Sequence, residues 1–331
     1  MMKISIPINT CELEDEDLRL MCQLGVDCID FSVGSSFPGV KEQGFPDLDQ
    51  LLKLRRNIRS WGMDINRVTL PDLTEPYMNK EEGAEQQLAN TVNALKVFGE
   101  AKVPIARLRF AGDSMPHTTK TYKAIHRGGA ISRGERASDQ THYQWSQEET
   151  NRWWGQFHHA FTNLVPIADD HGIKLTIHPS DTPYPQTPFG GIGLHRVLDS
   201  FPSSNVGLVY CVGTRGEAGG TSLVLDEIHQ FGRKGRIFLV HLRNVRGNLA
   251  TTGAFEESML DEGDLNIPKI MFALKKIGYS GCINPDHILR LNDGYDHSDH
   301  PNKQWRHNKA AWAYSIGYIK AIMAALDEYV G

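Results

Sequence analysis

No apolar run in this chain of 331 residues approaches the roughly 20 residues that a membrane-spanning helix needs, so a bilayer protein is not expected. The opening MMKISIPINT has no cationic segment ahead of a long apolar stretch, and no secretory signal is read from it. Cysteine is sparse: five residues, at positions 11, 22, 28, 211 and 282, an odd number with no C-x-x-C pair. A disulfide framework or a zinc knuckle is therefore not expected, and a reducing cytoplasm is the expected location. Charge of one sign is not in excess, and a net charge of −5 argues against bulk nucleic-acid binding. The first apolar run, in ISIPINTCELED, is not followed by a glycine-rich turn, which counts against an open dinucleotide-binding sheet. There is no internal repeat, low-complexity tract or linker, so residues 1–331 are read as one domain.

What is present is alternation. Short apolar runs at 3–8, 26–33, 63–70 and 104–110 are separated by amphipathic stretches starting near Glu14, Asp47 and Glu81. Asp47 and Gly62 supply capping signals for the second of these, and Leu88, Val92, Leu95 and Phe98 form the apolar stripe of the third. A fourth helical stretch runs from about Gln147 to His171-Gly172; later ones lie near 190–201, 220–232, 266–277 and 303–329. Strand followed by helix, repeated eight times, predicts an α/β fold with a parallel sheet, closed as a (β/α)8 TIM barrel.

Four of the predicted strands end in a metal-binding residue type: His178 in KLTIHP, Cys211 in VGLVYC, His241 in RIFLVH and Asp286 in GCINPD. Each alone is weak, since a buried cysteine is usually a small apolar side chain and a strand-end histidine often only hydrogen-bonds. Together they gain force, because a barrel gathers the carboxyl ends of its strands at one mouth. Two imidazoles, a thiolate and a carboxylate suit a divalent transition ion better than Mg2+ or Ca2+; Zn2+, Fe2+, Mn2+ and Co2+ all match the donor set. His287, directly after Asp286, is expected to titrate near neutral pH as an acid or base. Arg107 and Arg109 alternate onto one face of the fourth strand, and Arg243 follows His241 by two residues. A mouth-facing arginine would clamp a carboxylate or phosphate. Residues 111–146, between the fourth strand and fourth helix, form a long insertion carrying Lys120, Lys123, Arg127, Arg133 and Arg136. Its two readings are a solvated or interface excursion and a basic lid over an anionic substrate. The run 296–307 reads as a polar loop, with Arg306 and His307 candidate mouth residues.

The segments IHPSDTP (177–183), YCVG (210–213), HLRNV (241–245), FEESMLDEGDLNI (255–267) and NPDH (284–287) resemble, in this order, those of the mannonate dehydratases. The resemblance is clearest over 173–290 and implies the xylose-isomerase-like TIM-barrel fold. It implies that His178, Cys211, His241 and Asp286 bind a metal, usually Mn2+, and that His287 takes part in proton transfer. There are departures. Ser180 and Thr182 interrupt the family's H-P-D-D-P-P, Leu260 stands where the family often has histidine, and Ile288 stands where it has glycine. A downstream catalytic tyrosine has only Tyr295 as a loose counterpart. The resemblance implies a metal-dependent hydro-lyase that converts D-mannonate to 2-keto-3-deoxy-D-gluconate, with a sugar acid as its partner. Alternatives are a metal-dependent sugar isomerase or epimerase of the same superfamily, to which Cys211 is foreign, and a non-catalytic carbohydrate-binding barrel. A homo-oligomer is compatible with the sequence.

Overall fold

The computed structural model describes residues 1–110, 119–137, 146–180, 187–291 and 308–330. Its strands are β1 (Lys3–Ile8), β2 (Cys28–Phe31), β3 (Asp64–Thr69), β4 (Ile105–Arg107), β5 (Thr119–Ile125), β6 (Ile131–Ala137), β7 (Lys174–Ile177), β8 (Val206–Cys211), β9 (Ile237–His241), β10 (Asn244–Asn248), β11 (Ala254–Ser258) and β12 (Cys282–Asn284). Eight of them close a barrel in the order β1-β12-β9-β8-β7-β4-β3-β2, each paired in parallel with its neighbours. The predicted α/β barrel is the observed one.

The local reasons are those of the sequence. The helix Leu48–Ser60 starts where the Asp47 carboxylate accepts the Gln50 N–H. The helix Gln147–His171 opens with a capping box between Ser146 and Glu149 and stops at Gly172, whose φ of 66° suits a residue without a Cβ. Trp153, Trp154, Phe157 and Phe161 of that helix are buried, and the rings of Phe157 and Phe161 stack 4.2 Å apart. One helix departs from expectation. The stretch read as 220–232 starts at Val212, directly after β8, and kinks at Gly219 and Gly220. Its early turns carry few large apolar residues, which hides them from a periodicity argument.

Two layers of side chains inside the barrel explain where its chemistry sits. Cys28, Ile105, Val209, Leu239 and Cys282 form a small apolar cluster of their own, apart from the main core between barrel and helices. One alternation further along the same strands stand Asp30, Arg107, Cys211, His241 and Asn284. Side chains two apart on a strand share a face, so these polar residues form the layer above the apolar plug. Register supports this: Leu239 pairs with Val209 and Cys282, and His241 pairs with Cys211 and Asn284.

The insertion is built as structure, not only as loop. Strands β5 and β6 form a hairpin, and β6 pairs antiparallel with β11, giving a four-stranded sheet in the order β10-β11-β6-β5. Ile131 also bridges to Arg290, just beyond the carboxyl end of β12. Among the described residues, no helix is long and apolar enough to cross a membrane.

Candidate metal centre

The four strand-end donors meet. One ligand atom from each of His178, Cys211, His241 and Asp286 lies within 4.8 Å of every other. His178 directly follows β7, and its Nδ1 donates to the Pro179 carbonyl at 2.6 Å. A carbonyl only accepts, so the lone pair is on Nε2. Cys211 is both the last residue of β8 and the N-cap of the helix 212–233; its Sγ accepts from Thr214 N at 3.5 Å and Thr214 Oγ1 at 3.2 Å. Burial raises the thiol pKa, while Arg243 and the Thr214 contacts pull it back.

His241 is 2% exposed, and neither ring nitrogen makes a well-formed hydrogen bond. Its Nδ1 lies 3.3 Å from Asp286 Oδ2. Burial holds the imidazole below its ordinary value against the pull of Asp286, which favours the neutral form that binds metals. Buried polar atoms are rarely left unpaired, and a cation between an imidazole and a carboxylate satisfies both. The donor set therefore fits a divalent transition ion. Asp286 has a φ of 58°, rare for a residue with a side chain, and its N–H donates to Asn284 Oδ1 at 2.8 Å. Asn284 in turn donates to the buried Asp30 carboxylate at 2.5 Å, which also accepts from Ser5 and Asn66. Burial opposes ionisation of Asp286, yet His241, His287 and Arg243 hold it well below the usual carboxylate range.

Arg243 is placed differently from its reading as a substrate clamp. The side chain is 1% exposed. Nη1 donates to Glu217 at 3.0 Å and Glu257 at 2.7 Å, while Nη2 donates to Thr214 Oγ1 at 2.9 Å and Cys211 Sγ at 3.5 Å. Nε lies 3.3 Å from Asp286 Oδ2. The guanidinium thus supports two of the four donors from behind. Gly213 makes room for it, since a Cβ there would come within 2.7 Å of the arginine side chain. Arg243→Met would leave Glu217 and Glu257 short of their buried counter-ion. We expect a loss of about 3–5 kcal/mol of unfolding free energy. Denaturant titration checks this, and a loss under about 1 kcal/mol would contradict it.

Arg107 ends β4, and Arg109 lies two residues beyond it. Ala106, Leu108 and Phe110 are buried, and Phe110 packs on Trp153, Phe157 and Phe189, toward the helices. Arg107 and Arg109 alternate with them and point the other way. Arg109 keeps 38% of its side-chain surface exposed and lies 3.9 Å from Asp72. A third arginine was not singled out from sequence: Arg67 of β3, 1% exposed, donates to Phe31 O, Thr69 Oγ1 and Ser32 Oγ. A charged residue inside the strand DINRVT was the available signal. Burial lowers the Arg67 pKa to about 10, with Asp30 opposing and Arg107 adding to the shift. His287 lies 2.5 Å through Nδ1 from Glu257 Oε1. Burial disfavours its imidazolium, but Asp286 and Glu257 outweigh this and push His287 up to about 9, above the neutral value expected from sequence. A cation at the four donors would oppose that rise by repulsion. Tyr295, Asp181, Arg306 and His307 lie outside the described residues.

Against known proteins, the family model for D-mannonate dehydratase (UxuA) matches residues 131–330, more than half of the chain. The chain belongs to this family. The mannonate dehydratase family relation is also seen in single proteins. Mannonate dehydratase 2 of Halalkalibacterium halodurans is 31% identical over 212 residues, which are 61% of this chain and 53% of that protein. The chain thus spans about half the length of that relative. A mannonate dehydratase of Streptococcus equi subsp. zooepidemicus is 22% identical over 296 residues, 79% of this chain and 78% of that one. The crystal structure of mannonate dehydratase from Streptococcus suis serotype 2 superposes with a TM-score of 0.78 at 17% identity, covering 100% of this chain and 96% of that one. This last likeness speaks for the fold alone. Family and donor cluster together indicate a divalent metal.

Proposed function

We propose that the chain is a metal-dependent hydro-lyase that converts D-mannonate to 2-keto-3-deoxy-D-gluconate. The observation that carries this reading is the convergence of His178, Cys211, His241 and Asp286 in a member of this family. These four would hold the ion, with Mn2+ the proposed metal. A bound ion would supply positive charge beside the substrate carboxylate, where negative charge develops as the C2 proton leaves. Arg109 and Arg107 bind that carboxylate and orient the substrate. His287, next to the centre, accepts the C2 proton. The C3–O bond breaks, and the hydroxyl leaves as water once a second acid protonates it; Tyr295 is proposed for that role on sequence grounds. The resulting enol returns its proton to C3 and becomes the ketone. In this reading residues 1–331 work as one cytoplasmic barrel domain, with the 111–146 insertion as the lid.

The test is direct. Metal-loaded protein is incubated with a panel of aldonic and uronic acids and assayed for 2-keto-3-deoxy products. Formation from D-mannonate supports the reading. Interconversion of aldoses and ketoses would favour the isomerase alternative, and saturable sugar binding without product the non-catalytic one. Arg109→Met should cost about 2 kcal/mol in kcat/KM, since a charge-assisted contact is lost. Unchanged steady-state kinetics would remove Arg109 from the substrate site.

A further inference from the structure

Three nitrogen donors from three parts of the chain converge on one oxygen of one carboxylate. Glu257 Oε1 accepts from Arg243 Nη1 at 2.7 Å, from Arg133 Nη2 at 2.9 Å, and from His287 Nδ1 at 2.5 Å. Arg243 follows β9, His287 follows β12, and Arg133 belongs to β6 of the inserted hairpin. Glu257 itself is on β11, in the antiparallel sheet and not in the barrel. Its side chain is 10% exposed. A buried carboxylate is tolerated only when paired and hydrogen-bonded, and this one is.

We propose that Glu257 is the positioning residue for His287, and that through Arg133 it joins the inserted hairpin to the reacting centre. This rests on the proposed role of His287 as proton carrier. A carboxylate can only accept, so the Glu257 contact requires Nδ1 of His287 to carry hydrogen. That fixes the tautomer and leaves Nε2 as the exchanging atom, facing the centre, where it lies 3.7 Å from Asp286 Oδ2. Without Glu257 the ring is free to turn about its side-chain bonds, and either nitrogen can carry the proton. Arg243 and Arg133 hold the carboxylate from two sides, so its position does not depend on the histidine. Arg133 also packs over the Phe255 ring at 5.8 Å, and its hairpin is tied to β11 by backbone pairing. The hairpin therefore sets the position of a side chain that sets the position of His287. Besides the proposed part of the insertion as a lid, this sheet contributes continuously, by holding Glu257.

Glu257→Gln keeps the shape and an acceptor but removes the negative charge on which the three donors converge. The expected result is a fall in kcat of about 10- to 100-fold, with KM within about twofold of wild type and metal content unchanged. Circular dichroism and elemental analysis establish that the variant is folded and loaded. Arg133→Met, at a side chain 26% exposed and more tolerant of change, should lower kcat in the same sense by a smaller factor. The decisive comparison is the double variant. If Glu257 acts through His287, then Glu257→Gln costs little further in a His287→Asn background. Full additivity of the two, or wild-type kcat in a folded and loaded Glu257→Gln, overturns the proposal. If His287→Asn alone leaves turnover intact, it is the proton-carrier reading that fails. If His287→Asn is slow and Glu257→Gln is not, only the positioning role fails.

Discussion

His241→Ala is expected to empty the centre. Wild-type protein should carry about one divalent transition ion per chain by elemental analysis, and the variant close to none. The physical reason is the state of that ring. It is fully enclosed, neither nitrogen makes a well-formed hydrogen bond, and Nδ1 meets only the Asp286 carboxylate, at 3.3 Å. A ligand that anchors only a structural hydrogen bond would not be left in this way. Removing it deletes one of four donors and exposes Asp286 to Arg243 and His287 alone. Turnover should fall to background, and added Mn2+ should raise the Tm of the wild type but not of the variant. Equal metal content in both proteins, high or negligible, would reject the site.

His287→Asn should do the opposite to the metal and much the same to the rate. The side chain is adjacent to the donors but is not one of them, so metal content should stay near one ion per chain. Loss of a positioned general base costs on the order of 10²–10⁴ in kcat. The backbone at Asp286 is held from below by Asn284 and Asp30, so the left-handed turn that aims the carboxylate keeps its own support in the variant. Loss of metal would make His287 structural. Full turnover with full metal would place proton transfer elsewhere, with Tyr295 the first residue to test.

The sequence and the fold divide this protein along a physical line. Alternation of strand and helix, read from apolar periodicity, predicts the barrel, because each unit can bury its apolar face only against its neighbours. The two-residue period of a strand then carries Leu239 to His241, Val209 to Cys211 and Ile105 to Arg107, from apolar plug to polar layer. Local pattern sufficed to pick out the four residues that converge, because a barrel converts strand ends into neighbours without further information.

What lay beyond the sequence is what long-range pairing decides. Arg243 reads as a clamp from its two-residue step after His241, but Glu217 and Glu257 approach it from 26 and 14 residues away and absorb its charge. The insertion reads as a loop because its strands are polar; β5 and β6 pair with each other as a hairpin, and β6 alone joins β11, a long-range register that no local signal encodes. Glu257 has the same history: an ordinary acidic residue in FEES until three chain segments place Arg243, Arg133 and His287 around one of its oxygens. The chain by itself determined the barrel and which four strand ends meet at its mouth, since both follow from local period. The tertiary structure alone decided which charges neutralise which, since Coulomb partners are chosen by distance in space and not along the chain.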